Sequence, residues 1–295
     1  MKKRRLLIVG CGDVVRRALP ALTRRWRVFA LVRSADPALS AAGVTQIIGD
    51  LDQPATLSRL RGLAQAVLHS APPPSEGAGD PRTKRLLATL GRSRSLPRSL
   101  TYISTTGVYG DCGGASVPET RPLTAKSARA RRRVAAETRL RHTACRWGMR
   151  VSILRAPGIY AAERLPLERI RRGDPVLLPD EDSYTNHIHA EDLARACVSA
   201  LERGRANRSY NISDDSDIRM GDWFDKLADA FGLPRPPRVT RAEAQTRLSP
   251  ILLSFMNESR RLTNTRMKRE LKLWLAYPTV DDGIATALRN PTCSG

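Results

Sequence analysis

The stretch Leu6-Leu7-Ile8-Val9-Gly10-Cys11-Gly12-Asp13-Val14-Val15 decides the architecture. Four consecutive apolar residues read as a buried strand, and the glycines that follow read as a tight turn into a helix. Bare backbone at Gly10 and Gly12 lets N–H groups approach a pyrophosphate. The positive end of the helix that follows points at the same phosphates. This is a dinucleotide-binding turn with one departure: the third position, where a small residue normally lets helix and strand pack closely, is Val15. Gly10, Gly12, Asp13, Val14 and Val15 are therefore the expected phosphate cradle.

Working outward, Arg27 to Val32 reads as a second strand that ends in Arg33-Ser34. NAD-binding folds place an acidic residue here for the ribose hydroxyls, whereas an arginine meets the 2′-phosphate of NADP. No Asp or Glu lies between residues 14 and 35, so NADP is the expected cofactor and NAD remains allowed. Further strands are expected at Thr45–Ile48, Ala66–His69 and Leu100–Ile103, with helical stretches at Ala55–Leu63 and Thr83–Leu90 between them. Strand–helix alternation at this spacing predicts an α/β fold, a Rossmann-type doubly wound parallel sheet with its ligand at the carboxyl ends of the strands.

The chain has 295 residues, enough for one Rossmann domain and a smaller C-terminal substrate lobe. No apolar run approaches the length of a membrane span. The basic start Lys2–Arg5 is followed by only four apolar residues, too few for a signal sequence. Five scattered cysteines without a C-x-x-C pair suit a reducing compartment, and a cytoplasmic location is expected. The net charge is +21, with 43 arginines against seven lysines. These cations are spread along the chain rather than gathered in a tail, which reads as a compositional bias. No sequence-specific nucleic-acid partner is expected, and any association with DNA or RNA should fall steeply with salt.

Tyr102 to Asp111, Tyr-Ile-Ser-Thr-Thr-Gly-Val-Tyr-Gly-Asp, resembles the fifth-strand motif of the extended short-chain dehydrogenase/reductases, the NAD(P)-dependent epimerase/dehydratase group. Other segments resemble that family in order: Gly49-Asp50-Leu51-Asp52, Val117 to Pro122, Val151 to Tyr160, Asn186 to Asp192 and Tyr210 to Asp214. The resemblance implies a sugar-nucleotide epimerase, dehydratase or reductase type of protein. It places Asp50, Leu51, Ser70, Ala71, Pro72, Ser104, Pro157 and Ile159 beside the cofactor. It implies a small-molecule substrate, sugar-like or anionic. A homodimer is among the assemblies the sequence allows.

The family's catalytic set is a fifth-strand Ser or Thr and a Tyr-x-x-x-Lys pair on the following helix. Thr105 takes the strand position. With Glu137 aligned to the family's helix glutamate, the Lys position falls on Arg133 and the Tyr position on Arg129. None of the six tyrosines has a lysine four residues on. Arginine stays protonated and cannot serve as a general acid/base in place of a phenol. The chain thus resembles an atypical member of the group. Another acid would have to act, with Tyr109, Asp111 and Tyr160 as candidates, or the protein binds cofactor without ordinary turnover as a sensor or partner subunit. Tyr109 also reads as a packing residue of the turn. Arg129 and Arg133 share a helix face and read as an anion clamp, as part of a solvated basic helix, or as a pairing of Arg133 with Glu137. His187, His189 and Asp192 have metal-ligand chemistry, but the family segment implies an anchor and helix cap, and no metal is expected. His69 and His142 show no partner in sequence. The expected domain layout is 1–160 with 186–213 returning to it, and a substrate lobe of 161–185 and 214–295.

Overall fold

The computed structural model describes residues 3–289. Its centre is a parallel sheet of seven strands: β1 (Arg4–Val9), β2 (Trp26–Val32), β3 (Thr45–Ile48), β4 (Ala66–His69), β5 (Ser99–Thr105), β6 (Arg150–Ala156) and β7 (Arg208–Asn211). Their order across the sheet is β7-β6-β5-β4-β1-β2-β3, the doubly wound arrangement that switches direction beside β1. Leu6 to Val9 and Ala66 to Leu68 are almost fully buried, because both faces of the sheet are covered.

Helix α1 (Asp13–Arg25) packs one face of the sheet, and α2 (Pro37–Ala41) follows β2. Helices α3 (Pro81–Leu90) and α4 (Ala128–Trp147) cover the other face. The stretch expected as helix at 55–63 is a 3-10 turn, Pro54–Leu60. Helix α3 starts two residues before the expected point, because Asp80 caps it and Pro81 fits its first position. A short helix α5 (Leu167–Arg171) ends at Gly173, whose φ is +69°. Helix α6 (Ala190–Arg203) lies beside α1. Helix α7 (Met220–Ala230) buries Trp223, Phe224 and Leu227 against Tyr160, Ile170, Val176, Val280 and Ile284, a second core outside the sheet.

The late chain is stitched back onto the sheet side of the molecule. Arg261–Leu262 pairs with Ser116–Val117. Asn186 donates to the Arg260 carbonyl and accepts from the Leu262 amide, and Asn211 donates to the carbonyls of Val117 and Thr263. Asp192, fully buried, accepts from the amides of Ala276 and Tyr277. Among the described residues, no helix is long and apolar enough to cross a membrane.

Candidate active site

A cleft of about 890 Å³ opens at the carboxyl ends of β1, β2, β4 and β5. Its floor is the turn from Gly10 to Val15. Gly10 has φ +91°, and a Cβ there would lie 2.4 Å from the Ala71 amide nitrogen. The turn therefore needs glycine because it presses on the loop after β4. Gly12 differs: its φ is −80° and a Cβ would meet no atom within 4 Å. It caps α1 without any side chain, so the first-turn amides face open space. A bare helix start, with no protein atom close to the Cβ position of Gly12, fits a pyrophosphate. Val15 is buried in the sheet-side core with Leu6, Ile8 and Leu22, so this helix packs its strand through a valine.

Asp13, Val14, Arg33, Asp50, Leu51, Ser70, Ala71, Pro72, Arg133 and Ile159 line the cleft alongside the turn. Ser104, Thr105, Tyr109, Arg129 and Pro157 do not line it. Strand alternation explains Ser104. Its neighbour Ile103 faces the cleft, whereas the Ser104 hydroxyl donates to Glu137 Oε1 at 2.6 Å. Thr105 accepts from the Gly107 amide at 3.3 Å and caps a 3-10 turn.

The candidate acids are also turned away. Tyr109 is fully buried; its hydroxyl donates to Asn211 Oδ1 at 2.7 Å and accepts from Arg155 at 2.8 Å. Burial pushes its pKa up, against Arg155. Tyr160 donates to the Thr279 carbonyl from within the second core, and burial raises its pKa further from use. Asp111 accepts amides from Gly113 and Ser259, and these bonds hold its pKa down against its burial. The Cys11 thiol, in the cleft floor, is pushed up by burial against Arg16.

Helix α4 carries Arg129 and Arg133, the two arginines expected from sequence at the family's Tyr and Lys positions. Arg133 Nη1 donates to the Tyr102 hydroxyl at 2.8 Å and the Ile103 carbonyl at 2.9 Å. It does not pair with Glu137, which instead holds Arg155 in a buried ion pair at 2.7 Å. Burial works against the Arg155 charge, but Glu137 and Tyr109 keep its pKa above the ordinary value. Burial and the charge of Arg133 push Arg129 down, with Glu258 opposing.

Several cleft residues escaped the sequence reading. Arg16 pairs with Asp36 and donates to the Cys11 carbonyl. Asp36 stands three residues beyond Arg33; it lines the cleft, but it also caps α2 through the Ala38 amide. Arg82 pairs with Asp52, and Arg164 with Asp13. Arg33, by contrast, has no carboxylate within 4 Å among the described residues. His69, without a visible partner in sequence, is buried and bonded through Nε2 to Thr83 Oγ1 at 2.8 Å. His189 caps α6, accepting the Glu191 amide at 3.3 Å. Among the described residues no His, Cys, Asp and Glu cluster could hold a metal ion.

The NAD dependent epimerase/dehydratase family model matches residues 12–213, more than half of the chain. No curated protein sequence matches it. Among solved structures, a functionally unknown conserved protein from Silicibacter pomeroyi is 29% identical, with a TM-score of 0.79 over 98% of this chain and 99% of that one. UDP-glucose 4-epimerase from Thermotoga maritima, solved with UDP-glucose, is 18% identical with a TM-score of 0.77, covering 97% of each chain. The dTDP-glucose 4,6-dehydratase DesIV from Streptomyces venezuelae, solved as a double mutant with NAD bound, is 22% identical with a TM-score of 0.75, over 97% and 96%. With its seven-stranded Rossmann sheet and a glycine cradle at the switch point, the chain belongs to the NAD dependent epimerase/dehydratase family.

Proposed function

We propose that the chain binds NADP(H) in this cleft and acts on a small anionic or sugar-like substrate presented to Arg133. Arg33 carries the cofactor preference. It lines the cleft next to the end of β2 with no carboxylate partner, while Arg16 engages Asp36, and Arg164 engages Asp13. A free guanidinium there suits a 2′-phosphate, which it can hold by two parallel hydrogen bonds. The first-turn amides of α1 would hold the pyrophosphate, and Arg133 the nicotinamide end. Bound nicotinamide supplies a hydride donor or acceptor. Arg133, anchored by Tyr102 and Ile103, supplies fixed positive charge for a developing oxyanion but retains its own proton. Calorimetric titration tests the preference. NADPH should bind about 10- to 100-fold more tightly than NADH, as for a charged hydrogen-bonded contact, and Arg33→Ser should erase the difference. Equal affinities in the unaltered protein would rule this reading out.

A second reading, cofactor binding without turnover, is favoured by the absence of any Tyr, His or Lys among the cleft-lining residues described. Nucleotide sugars of the UDP-glucose type are the first substrates to try. Binding of NADPH with no turnover of these or of neutral ketones would select the second reading. Turnover of such a substrate with NADP(H), lost in Arg133→Ala while NADPH binding is kept, would select the first.

A further inference from the structure

We propose that the amino-terminal edge of the sheet, opposite the cleft, is a docking plate for nucleic-acid backbone, read by charge without regard to sequence. All seven strands are parallel, so all begin at this edge. Four segments that enter strands here are Lys3-Arg4-Arg5, Arg24-Arg25-Trp26-Arg27, Arg92 to Arg98 and Arg203 to Arg208. They lie far apart in sequence but share one level of the fold: the Gln65 amide donates to the Arg5 carbonyl, the Arg98 amide to the Gln65 carbonyl, and the Arg150 amide to the Arg98 carbonyl. The four segments hold twelve Lys and Arg and no Asp or Glu.

Pairing distinguishes this edge from the cleft. Only Arg25, Arg205 and Arg208 of the twelve have a carboxylate partner among the described residues, through Glu202 and Glu270. At the carboxyl edge Arg16, Arg17, Arg82 and Arg164 are ion-paired, and Arg33 and Arg133 are the cleft-lining cations without a carboxylate partner among the described residues. Helix ends account for part of the plate, since Arg24, Arg25 and Arg203 occupy last turns where cations complement the dipole. Arg4, Arg27 and Arg98 lie in or beside strands and serve no helix end. Two guanidinium groups are held in place by aromatic rings: Arg4 lies 4.3 Å from the centre of Trp26, and Arg27 lies 5.3 Å from Phe29.

The four segments span from β7 to β2, five strand spacings or about 24 Å. A duplex of that length carries about 14 phosphate charges. An anionic membrane also carries such charge, but it takes up exposed apolar side chains as well. Of the exposed large hydrophobics among the described residues, Ile48, Leu178 and Leu288 lie elsewhere. Ile48 ends β3 at the opposite edge, and Leu178 and Leu288 lie outside the sheet. Trp274 stands between Leu271, whose carbonyl accepts from Arg203, and Ala276, which is tied to Asp192 at the far end of α6, and it is a lone tryptophan rather than an apolar patch.

The test is fluorescence anisotropy of the full chain with labelled 20-nucleotide single-stranded RNA, duplex RNA and duplex DNA. Binding should be indifferent to base sequence. With about five phosphates neutralised on a duplex, affinity should drop about 500-fold between 50 and 200 mM salt. The triple variant Arg92→Ser, Arg94→Ser, Arg98→Ser should bind at least about 10-fold more weakly and lower the salt slope by about two to three. Arg171→Ser, Arg235→Ser, Arg247→Ser removes equal charge elsewhere and should stay within about twofold of the unaltered protein. Saturating NADPH should leave the affinity unchanged. Equal losses in both triples, competition by NADPH, no binding at 100 mM salt, or tighter binding to phosphatidylserine vesicles than to any oligonucleotide would each overturn the proposal. If the first triple does not fold, Arg24→Ser with Arg27→Ser supplies the same comparison.

Discussion

Gly10 and Gly12 sit two residues apart, and substitution should separate their roles. Gly12→Ser puts a favoured N-cap residue at a relaxed φ of −80°. Stability should hold or rise slightly, while NADPH affinity falls at least about 10-fold because the new side chain fills the cradle. Gly10→Ala forces a Cβ into the left-handed region and against the Ala71 backbone. It should lose about 2–3 kcal/mol of stability by thermal denaturation before cofactor is added. A stable Gly10→Ala, or a Gly12→Ser that binds as before, would contradict the geometry. Both glycines were legible in the sequence because a strand and a helix bracket them. The engagement of Asp36 by Arg16 was not, since it depends on where α2 starts.

Helix α4 joins two environments. Arg133 faces the cleft, and Glu137, one turn on, reaches Arg155 of β6 in a pair that is 1% and 3% exposed. Glu137→Ala leaves a buried guanidinium without its counter-ion and should cost about 3–5 kcal/mol. Urea unfolding measures this, and a cost below about 1 kcal/mol would show that Arg155 escapes to water. Position on the helix was readable from sequence, because residues four apart share a face. The partner was not: the i,i+4 neighbour Arg133 is nearer in sequence, yet Arg155 wins because β6 runs beside β5 and brings it under Ser104. In the same way, the parallel strands were legible as apolar runs, whereas the 3-10 turn at Pro54–Leu60 was hidden by its helix-like apolar spacing.

Across the whole molecule, buried titratable groups set the response to pH. Burial lowers His69 to about 4 and His187 to about 3, from 6.5. Both bind fewer protons folded than unfolded, so their contribution grows as pH rises toward 6.5. Burial raises the Asp214 carboxyl from 3.8 to about 8, so it binds more protons folded, and its contribution shrinks between about pH 4 and 8. Asp214→Asn should therefore gain on the unaltered protein as pH rises through that window, by at most about 1.4 kcal/mol per pH unit. Melting curves from pH 5 to 8 check this, and a difference independent of pH would refute it. The even spread of arginine in sequence concealed its gathering at one sheet edge, because only the strand directions bring those segments together. The stitching by Asn186, Asp192 and Asn211 has its own consequence. Each is anchored near the sheet, yet each hydrogen-bonds backbone of residues 260–277. Melting the outer segment alone would strand these buried amide and carboxylate groups, so neither part has a stable intermediate to rest in. Scanning calorimetry should show one cooperative transition whose van't Hoff and calorimetric enthalpies agree, and removal of residues 260–289 should abolish folding of the Rossmann half as well.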